Sequence, residues 1–371
     1  VDDTRLRLGD LARLWRRASP APLVAVTGSN GKTTVKEMLA SILTSLGPGL
    51  KSAGNYNNLI GVPLTLFGLQ EEHRWAVVEM GMSARGEIAR LAEIARPNIG
   101  LITNIGAGHL ENFDGLSGVA RAKGELFISL PPDGIALINV DDEEVRILPV
   151  ANSVRRVTFG VNRNADVRAD NITAHNGSVS FNLVIAGAAR RVILPLPGRH
   201  NVANALAAAA AAMVAGVGMQ AIVAGLESFQ PCPGRMELIE LPGDVIVLED
   251  SYNANPLSVH AALDALHDLG SPGRRIAVLA DMLELGPSAP ELHQQIGAII
   301  PERADWLFTY GSLAEEIARG ARDAGLEDDR IFSAVNNDEP IERLLAVKLL
   351  RFADLVVMAE RLHPIPFRTR P

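Results

Sequence analysis

Along the first third of the chain, short apolar runs alternate with longer amphipathic stretches. Leu23–Thr27 (LVAVT), residues 75–80 (WAVVEM) and residues 99–104 (IGLITN) are rich in aliphatic and β-branched side chains, and helical patterns lie between them near residues 35–46 and Glu87–Ala95. This alternation, sustained to about Val140, predicts a mainly parallel sheet covered by helices on both faces. Ahead of it, Leu6, Leu8, Leu11 and Leu14 recur at helical spacing, and Pro20 and Pro22 separate that helix from the first strand. Between residues 154 and 196 the texture changes to VRRVTFG, SVSFNLVI and RRVILPLP, broken by Asn and Gly, which predicts a β-rich insertion. An alanine-dominated helix follows from about Asn201. Its most apolar stretch, residues 205–219, is shorter than the ~20 residues a bilayer span requires, so it reads as a buried core helix. The segment SFQPCPG marks a hinge with a boundary near Pro233. Beyond it VIVLED, RRIAVLAD and DWLFTYG alternate with helical patterns at Pro256–Leu269 and residues 289–300, which predicts a second doubly wound unit. The expected division is a lead-in at 1–19, a central α/β domain at 20–232 and a Rossmann-like domain at 233–371.

A chain of 371 residues is long enough for two or three domains at about 150 residues each. Hydrophobic residues at 47% and charged residues at 21% exclude a disordered or fibrous protein. The net charge of −8 argues against a nucleic-acid or membrane-surface binder, while leaving room for a local cationic pocket. A single cysteine, Cys232, excludes an internal disulfide framework and Cys-rich zinc sites and fits a reducing cytoplasm. The N-terminus carries charges where a signal peptide would be apolar, and the chain starts with Val1, so the sequence reads as a fragment.

The strongest chemical signal is VAVTGSNGKTT at residues 24–34, a strand followed at once by Gly28, Ser29, Asn30, Gly31, Lys32, Thr33 and Thr34 and then a helix. Glycines let backbone N–H groups approach a polyphosphate, and the helix N-terminus adds positive potential. Lys32 reaches outer phosphates, and a threonine hydroxyl suits Mg²⁺. Two residues separate the glycines where the general Walker pattern has four. Glu79 ends a predicted strand, where an α/β sheet presents side chains to its ligand crevice, and offers a hard oxygen ligand.

The loop TGSNGKTT resembles that of the Mur ligase family, the ATP-dependent amide-forming enzymes of peptidoglycan synthesis, to which folylpolyglutamate synthases are related. GNYNNLIGVP (54–63), VVEMG (77–81), TNIGAGHLENF (103–113), RAKGELF (121–127), LPGRHNVANA (196–205), PGRME (233–237), DSYNANPLS (250–258) and DMLELG (281–286) follow in family order. The resemblance covers about residues 3–311. GNYNN, EMG, DSYNANP and DMLELG together resemble the branch that adds D-alanyl-D-alanine to UDP-N-acetylmuramoyl-tripeptide.

The resemblance implies a P-loop ATPase-type central domain followed by the Rossmann-like one, and transfer of the γ-phosphoryl group of ATP to a carboxylate. The amine of the dipeptide then displaces phosphate from the acyl phosphate. It implies Mg²⁺, as two ions, with Thr33, Glu79, His109 and Lys123 at the metals and Lys32 on the β- and γ-oxygens. Lys123 stands where several relatives carry a lysine carbamylated by CO₂; a lysine ion-paired to Glu87 or another acid is the plainer alternative, as a structural histidine is for His109. Asn204 is implied at adenine, Arg235 at the phosphates and Asp250 at the ribose, with the nucleotide site completed when the C-terminal unit closes. Asn57 and Asn58 are candidates for the sugar or peptide substrate, and Tyr252, Asn253 and Asn255 for the dipeptide, unless the latter form an Asx-rich turn.

Three departures stand out. The family's N-terminal UDP-binding domain is represented only by its tail, Ala280 replaces a usual glycine, and LVVMAERLHPIPFRTRP replaces the family's Lys-Gly-Ser-Arg ending. A cytoplasmic monomeric ligase is the leading expectation. A ligase for another amino acid or for polyglutamate, and an ATP-binding protein without full activity, remain open at this point.

Overall fold

The computed structural model describes residues 3–108, 110–175, 177–270, 272–334 and 355–359. It divides into two compact units, the first built from most of residues 1–230 and the second from Pro231 onward with two short segments near residues 174–177 and 196–198.

In the first unit, α1 (Thr4–Ala18) leads into β1 (Leu23–Thr27), α2 (Lys32–Leu43), β2 (Gly49–Lys51), α3 (Gly61–Phe67), β3 (Trp75–Glu79), α4 (Glu87–Ala95), β4 (Ile99–Ile102), α5 (Gly115–Ile128), β5 (Ile135–Asn139) and the short α6 (Glu143–Arg146). Then come β6 (Arg155–Gly160), β7 (Val167–His175), β8 (Ser178–Ile185), β9 (Ala188–Leu194), α7 (His200–Val214) and α8 (Met219–Glu227). Among the described residues these strands make one sheet in the order β2-β3-β1-β4-β5-β6-β7-β8-β9. Strand β1 is central, parallel to β3 on one side and β4 on the other, and all five of its residues are buried, as expected for a strand covered on both faces. The β-rich stretch extends the same sheet: β6 pairs parallel with β5, and β8 pairs antiparallel with β9.

On one face, Leu23 and Ala25 of β1 and Ala76 and Val78 of β3 pack with Ile88, Leu91, Leu126 and Phe127 of α4 and α5. Helix α2 packs on α7 and α8. Gly225 of α8 allows that approach, since a Cβ there would lie 2.5 Å from the Cα of Ile42. The alanine run forms α7 as expected, with Ala205–Ala212 essentially inaccessible, but the helix stops before Gly216, which takes a left-handed φ of 89°.

Helix α1 forms where the leucine spacing places it, yet it buries the opposite face. Leu6, Leu11 and Leu14 are 50–58% exposed, whereas Gly9, Ala12 and Arg16 face inward. Small residues win because the backbone comes close to α4: a Cβ on Gly9 would sit 2.6 Å from the Cδ1 of Ile94. Arg16 then uses its guanidinium to satisfy the carbonyls of Ala95, Ser19 and Ala21.

The second unit contains β10 (Glu237–Leu241), β11 (Val245–Glu249), α9 (Pro256–Leu269), β12 (Arg275–Ala280), α10 (Ala289–Arg303), β13 (Trp306–Tyr310), α11 (Ala314–Asp323), β14 (Ile331–Ala334) and β15 (Leu355–Ala359). Its sheet runs β10-β11-β15-β12-β13-β14, parallel except for the β10–β11 hairpin at one edge, which the apolar pattern did not reveal. Stacked Trp306, Phe308 and Phe332 knit β13 to β14. Asp281, after β12, accepts from the Ala314 amide at the start of α11. The unusual C-terminal ending noted in the sequence lies, apart from the strand backbone 355–359, outside the described residues.

Candidate active site

The turn between β1 and α2 is built for close backbone approach. Gly28 has φ 146° and Gly31 φ 79°, conformations L side chains rarely adopt. A Cβ on Gly28 would lie 1.8 Å from Thr103 Oγ1, and one on Gly31 2.3 Å from Asn204 Oδ1. The loop is tied to the segment after β4: the Ser29 amide donates to the Asn104 carbonyl, the Asn30 amide to Asn104 Oδ1, and Thr103 Oγ1 to the Asn30 carbonyl at 2.6 Å. Ser29 Oγ donates to the Gly106 carbonyl and accepts from the Gly106 amide. These bonds hold the loop rigid with the α2 N-terminus behind it, and helix α2 carries no acidic residue in its first turn to compete with an anion.

Lys32 and Lys123 converge on this loop. Lys32 Nζ donates to the carbonyls of Gly28 and Ser29, and Lys123 Nζ, from α5, donates to the same Gly28 carbonyl at 3.1 Å. Lys123 is 3% exposed. Burial, and then the neighbouring Lys32 charge, push its ammonium well below the usual lysine range. The alternative partner Glu87 instead accepts from the Ser83 and Ala84 amides.

Glu79, at the end of β3, is 2% exposed and fully engaged. Its Oε2 accepts from Thr33 Oγ1 at 2.8 Å, its Oε1 accepts from Asn57 Nδ2 at 2.9 Å, and Lys36 Nζ lies 3.8 Å from Oε2. Thr34 is buried in the same first turn of α2. Thr33 and Glu79, from different elements, thus present hard oxygens side by side, the donor chemistry Mg²⁺ prefers when a phosphate and waters complete its shell. Among the described residues no cluster of three or more His, Cys, Asp or Glu stands as an all-protein metal cage. His109 lies outside the described residues.

Other candidates fall differently. Asn204 is buried against Gly31, with its amide donating to Asn201 Oδ1. Asn57 turns toward Glu79. Asn58 uses Oδ1 to accept the Ile60 and Gly61 amides at the entry to α3. In the second unit Arg235 stacks its guanidinium 3.9 Å over the Tyr252 ring. Asp250 accepts from the Met236 amide, and burial pushes its carboxyl up to about 7 against the pull of Arg235. Asn255 caps α9 through a reciprocal box with Ser258, and the Asn253 carbonyl accepts from Ser258 Oγ.

Lys36 escaped sequence reasoning altogether. It is fully buried, its Nζ donating to the Ser52 and Gly54 carbonyls and lying 3.2 Å from Glu37 Oε1. The signal was present: Lys36 follows Thr33 by three positions, hence shares its helix face, and falls among the apolar positions Val35, Met38 and Leu39.

Against known proteins, the chain matches the Mur ligase middle domain over residues 26–212 and the Mur ligase glutamate ligase domain over residues 234–359. It is 46% identical over 299 residues to a UDP-N-acetylmuramoyl-tripeptide--D-alanyl-D-alanine ligase of Escherichia coli K12, a match covering 80% of this chain and 66% of that relative. A Buchnera aphidicola protein of the same name is 34% identical, covering 98% of this chain and 80% of its own length. The crystal structure of MurF from Acinetobacter baumannii superposes with a TM-score of 0.88 at 34% identity, over 97% of this chain and 78% of that one. MurF from Thermotoga maritima, crystallised with ADP, gives 0.85 at 27% identity, over 97% and 81%. The Gly28–Gly31 cradle, the Thr33–Glu79 pair and the buried Lys123 are therefore set in a chain whose two family domains are both matched, and this chain belongs to the Mur ligase family.

Proposed function

We propose that this chain carries the ATP-dependent joining of D-alanyl-D-alanine to UDP-N-acetylmuramoyl-tripeptide, forming ADP and phosphate, as a monomer in the cytoplasm. The observation that carries the reading is the meeting of Thr33 and Glu79 beneath a glycine cradle on which two lysines converge. Phosphoryl transfer asks the protein for positioning and charge neutralisation more than for covalent help. The amides at the start of α2 and Lys32 would hold the phosphates, with Lys32 leaving its two loop carbonyls to reach the β- and γ-oxygens. Thr33 and Glu79 would hold Mg²⁺, which when bound neutralises charge on the transferred group, with His109 and Lys123 as further candidates for a second ion. The tripeptide carboxylate takes the phosphoryl group; the dipeptide amine attacks the acyl carbon, loses a proton, and expels phosphate. Arg235 and Asp250 are assigned to phosphate and ribose and Asn204 to the adenine side of the loop. Asn57 and Asn58 are assigned to the donor substrate, and Tyr252, Asn253 and Asn255 to the dipeptide.

Lys123 is proposed to be carbamylated. Its ammonium gives up one proton, and the free amine adds to CO₂ with loss of a second, exchanging a cation crowded against Lys32 for an anion that attracts it. A carbamate carbon signal in ¹³C-bicarbonate, absent from Lys123→Ala, is the expected result.

Phosphate release is the test of the reaction. Dependence on both the UDP-linked tripeptide and D-alanyl-D-alanine, with loss in Lys32→Ala, supports the proposal. Dependence on a different amino acid would make the chain a sister ligase, and nucleotide binding without turnover a noncatalytic relative.

A further inference from the structure

Buried lysines are costly unless paired and fully hydrogen-bonded, so a lysine with no exposed surface beside a catalytic carboxylate calls for an explanation. Lys36 Nζ spans two parts of the first unit. On one side it donates to the Ser52 carbonyl at 2.9 Å and the Gly54 carbonyl at 3.2 Å, at the base of the loop that carries Asn57 and Asn58. On the other it lies between Glu37 and Glu79, at 3.2 and 3.8 Å. The same loop returns to Glu79 twice more, since Ser52 Oγ accepts from the Glu79 amide and Asn57 Nδ2 donates to Glu79 Oε1. Asn57 also accepts the Gly81 amide through its carbonyl at 2.7 Å. Glu37 is held in turn by Lys51 of β2. Lysine suits the position because its three N–H donors and single charge meet two carbonyls and two carboxylates at once.

We propose that Lys36 is a positioning residue that pins the residue 52–58 loop to Glu79, so that the donor-substrate loop and the phosphate-loop helix move as one body. The phosphate cradle itself is framed by Thr103, Asn104 and Gly106, none of which Lys36 touches. The inference rests on the proposed reaction for its kinetic consequence and not for its structural one.

The experiment compares the wild-type chain with Lys36→Met and Lys36→Arg by amide hydrogen exchange and by steady-state kinetics. In Lys36→Met, exchange at Ser52, Tyr56, Asn57 and Gly81 should accelerate by about tenfold or more, while α4, β4 and the Ser29 and Asn30 amides stay within about threefold. ADP affinity and the KM for ATP should change less than about threefold, whereas the KM for the UDP-linked tripeptide rises about tenfold or more, the split expected from a displaced loop. Lys36→Arg, which keeps charge and donors, should return at least part of both. Unchanged exchange in the 52–58 loop would overturn the proposal, and so would equal acceleration throughout the first unit or a matching rise in both KM values. Should Lys36→Met fail to fold, Lys36→Gln, with an amide donor and no charge, must show the same local pattern or the proposal fails. If the wild-type chain turns nothing over, the reaction is at fault, while the exchange pattern still decides the role of Lys36.

Discussion

Replacing Gly28 by alanine tests the cradle most directly. Its φ of 146° lies where an L side chain is strained, and the new Cβ would meet Thr103 Oγ1 at 1.8 Å, where real Cβ contacts essentially never fall below 3.0 Å. The strands must part by about 1 Å, or Thr103 must rotate and surrender its 2.6 Å bond to the Asn30 carbonyl. Backbone strain of about 1–3 kcal/mol and a lost hydrogen bond of about 1 kcal/mol give an expected destabilisation of about 2–4 kcal/mol. The Gly28 carbonyl also receives both Lys32 and Lys123, so its displacement should lower turnover by about a hundredfold. Urea denaturation in a Trp306→Phe background isolates the first unit, because Trp15 and Trp75 then report alone. Thr103→Ala removes the clashing oxygen, so in the Gly28→Ala/Thr103→Ala pair about 1 kcal/mol should return, leaving the φ strain in place. A single variant within about 0.5 kcal/mol of wild type, or strictly additive losses in the pair, would refute a steric cradle.

Asn255→Ala should cost about 1 kcal/mol in the second unit through loss of the α9 capping box, read by Trp306 fluorescence; Asn255→Asp, which keeps the acceptor, should retain stability. Asp250 has a folded-state pKa raised to about 7, so its favourable contribution is complete below about pH 4 and is lost as pH climbs to about 7. At ~1.4 kcal/mol per tenfold change in proton affinity the penalty cannot exceed about 4 kcal/mol, and partial exposure lowers it. Asp250→Asn should therefore gain on the wild type between about pH 4 and 7 and hold a constant margin above; a margin that does not vary with pH contradicts this origin.

Sequence alone determined the alternation of strands and helices and the glycine turn between β1 and α2, because each depends on neighbours a few positions apart: β-branched runs, helical spacing, and glycines where the backbone must turn left-handed. Glu79 was legible at a strand end, and Lys123 was singled out by a motif of the resembled family. What only the tertiary structure decided are the partners. Leucine spacing announced α1 but not its buried face, which carries Gly9, Ala12 and Arg16, with Gly9 close against Ile94 of α4. That Asn58 and Asn255 also accept hydrogen bonds from the amides of Gly61 and Ser258 was decided by local backbone geometry. Lys36 reads as one more surface lysine until α2, β3 and the loop after β2 close around it. A charge is stabilised in the interior only by groups that meet it in space, and those groups lie as many as 43 positions away along the chain, from Lys36 to Glu79.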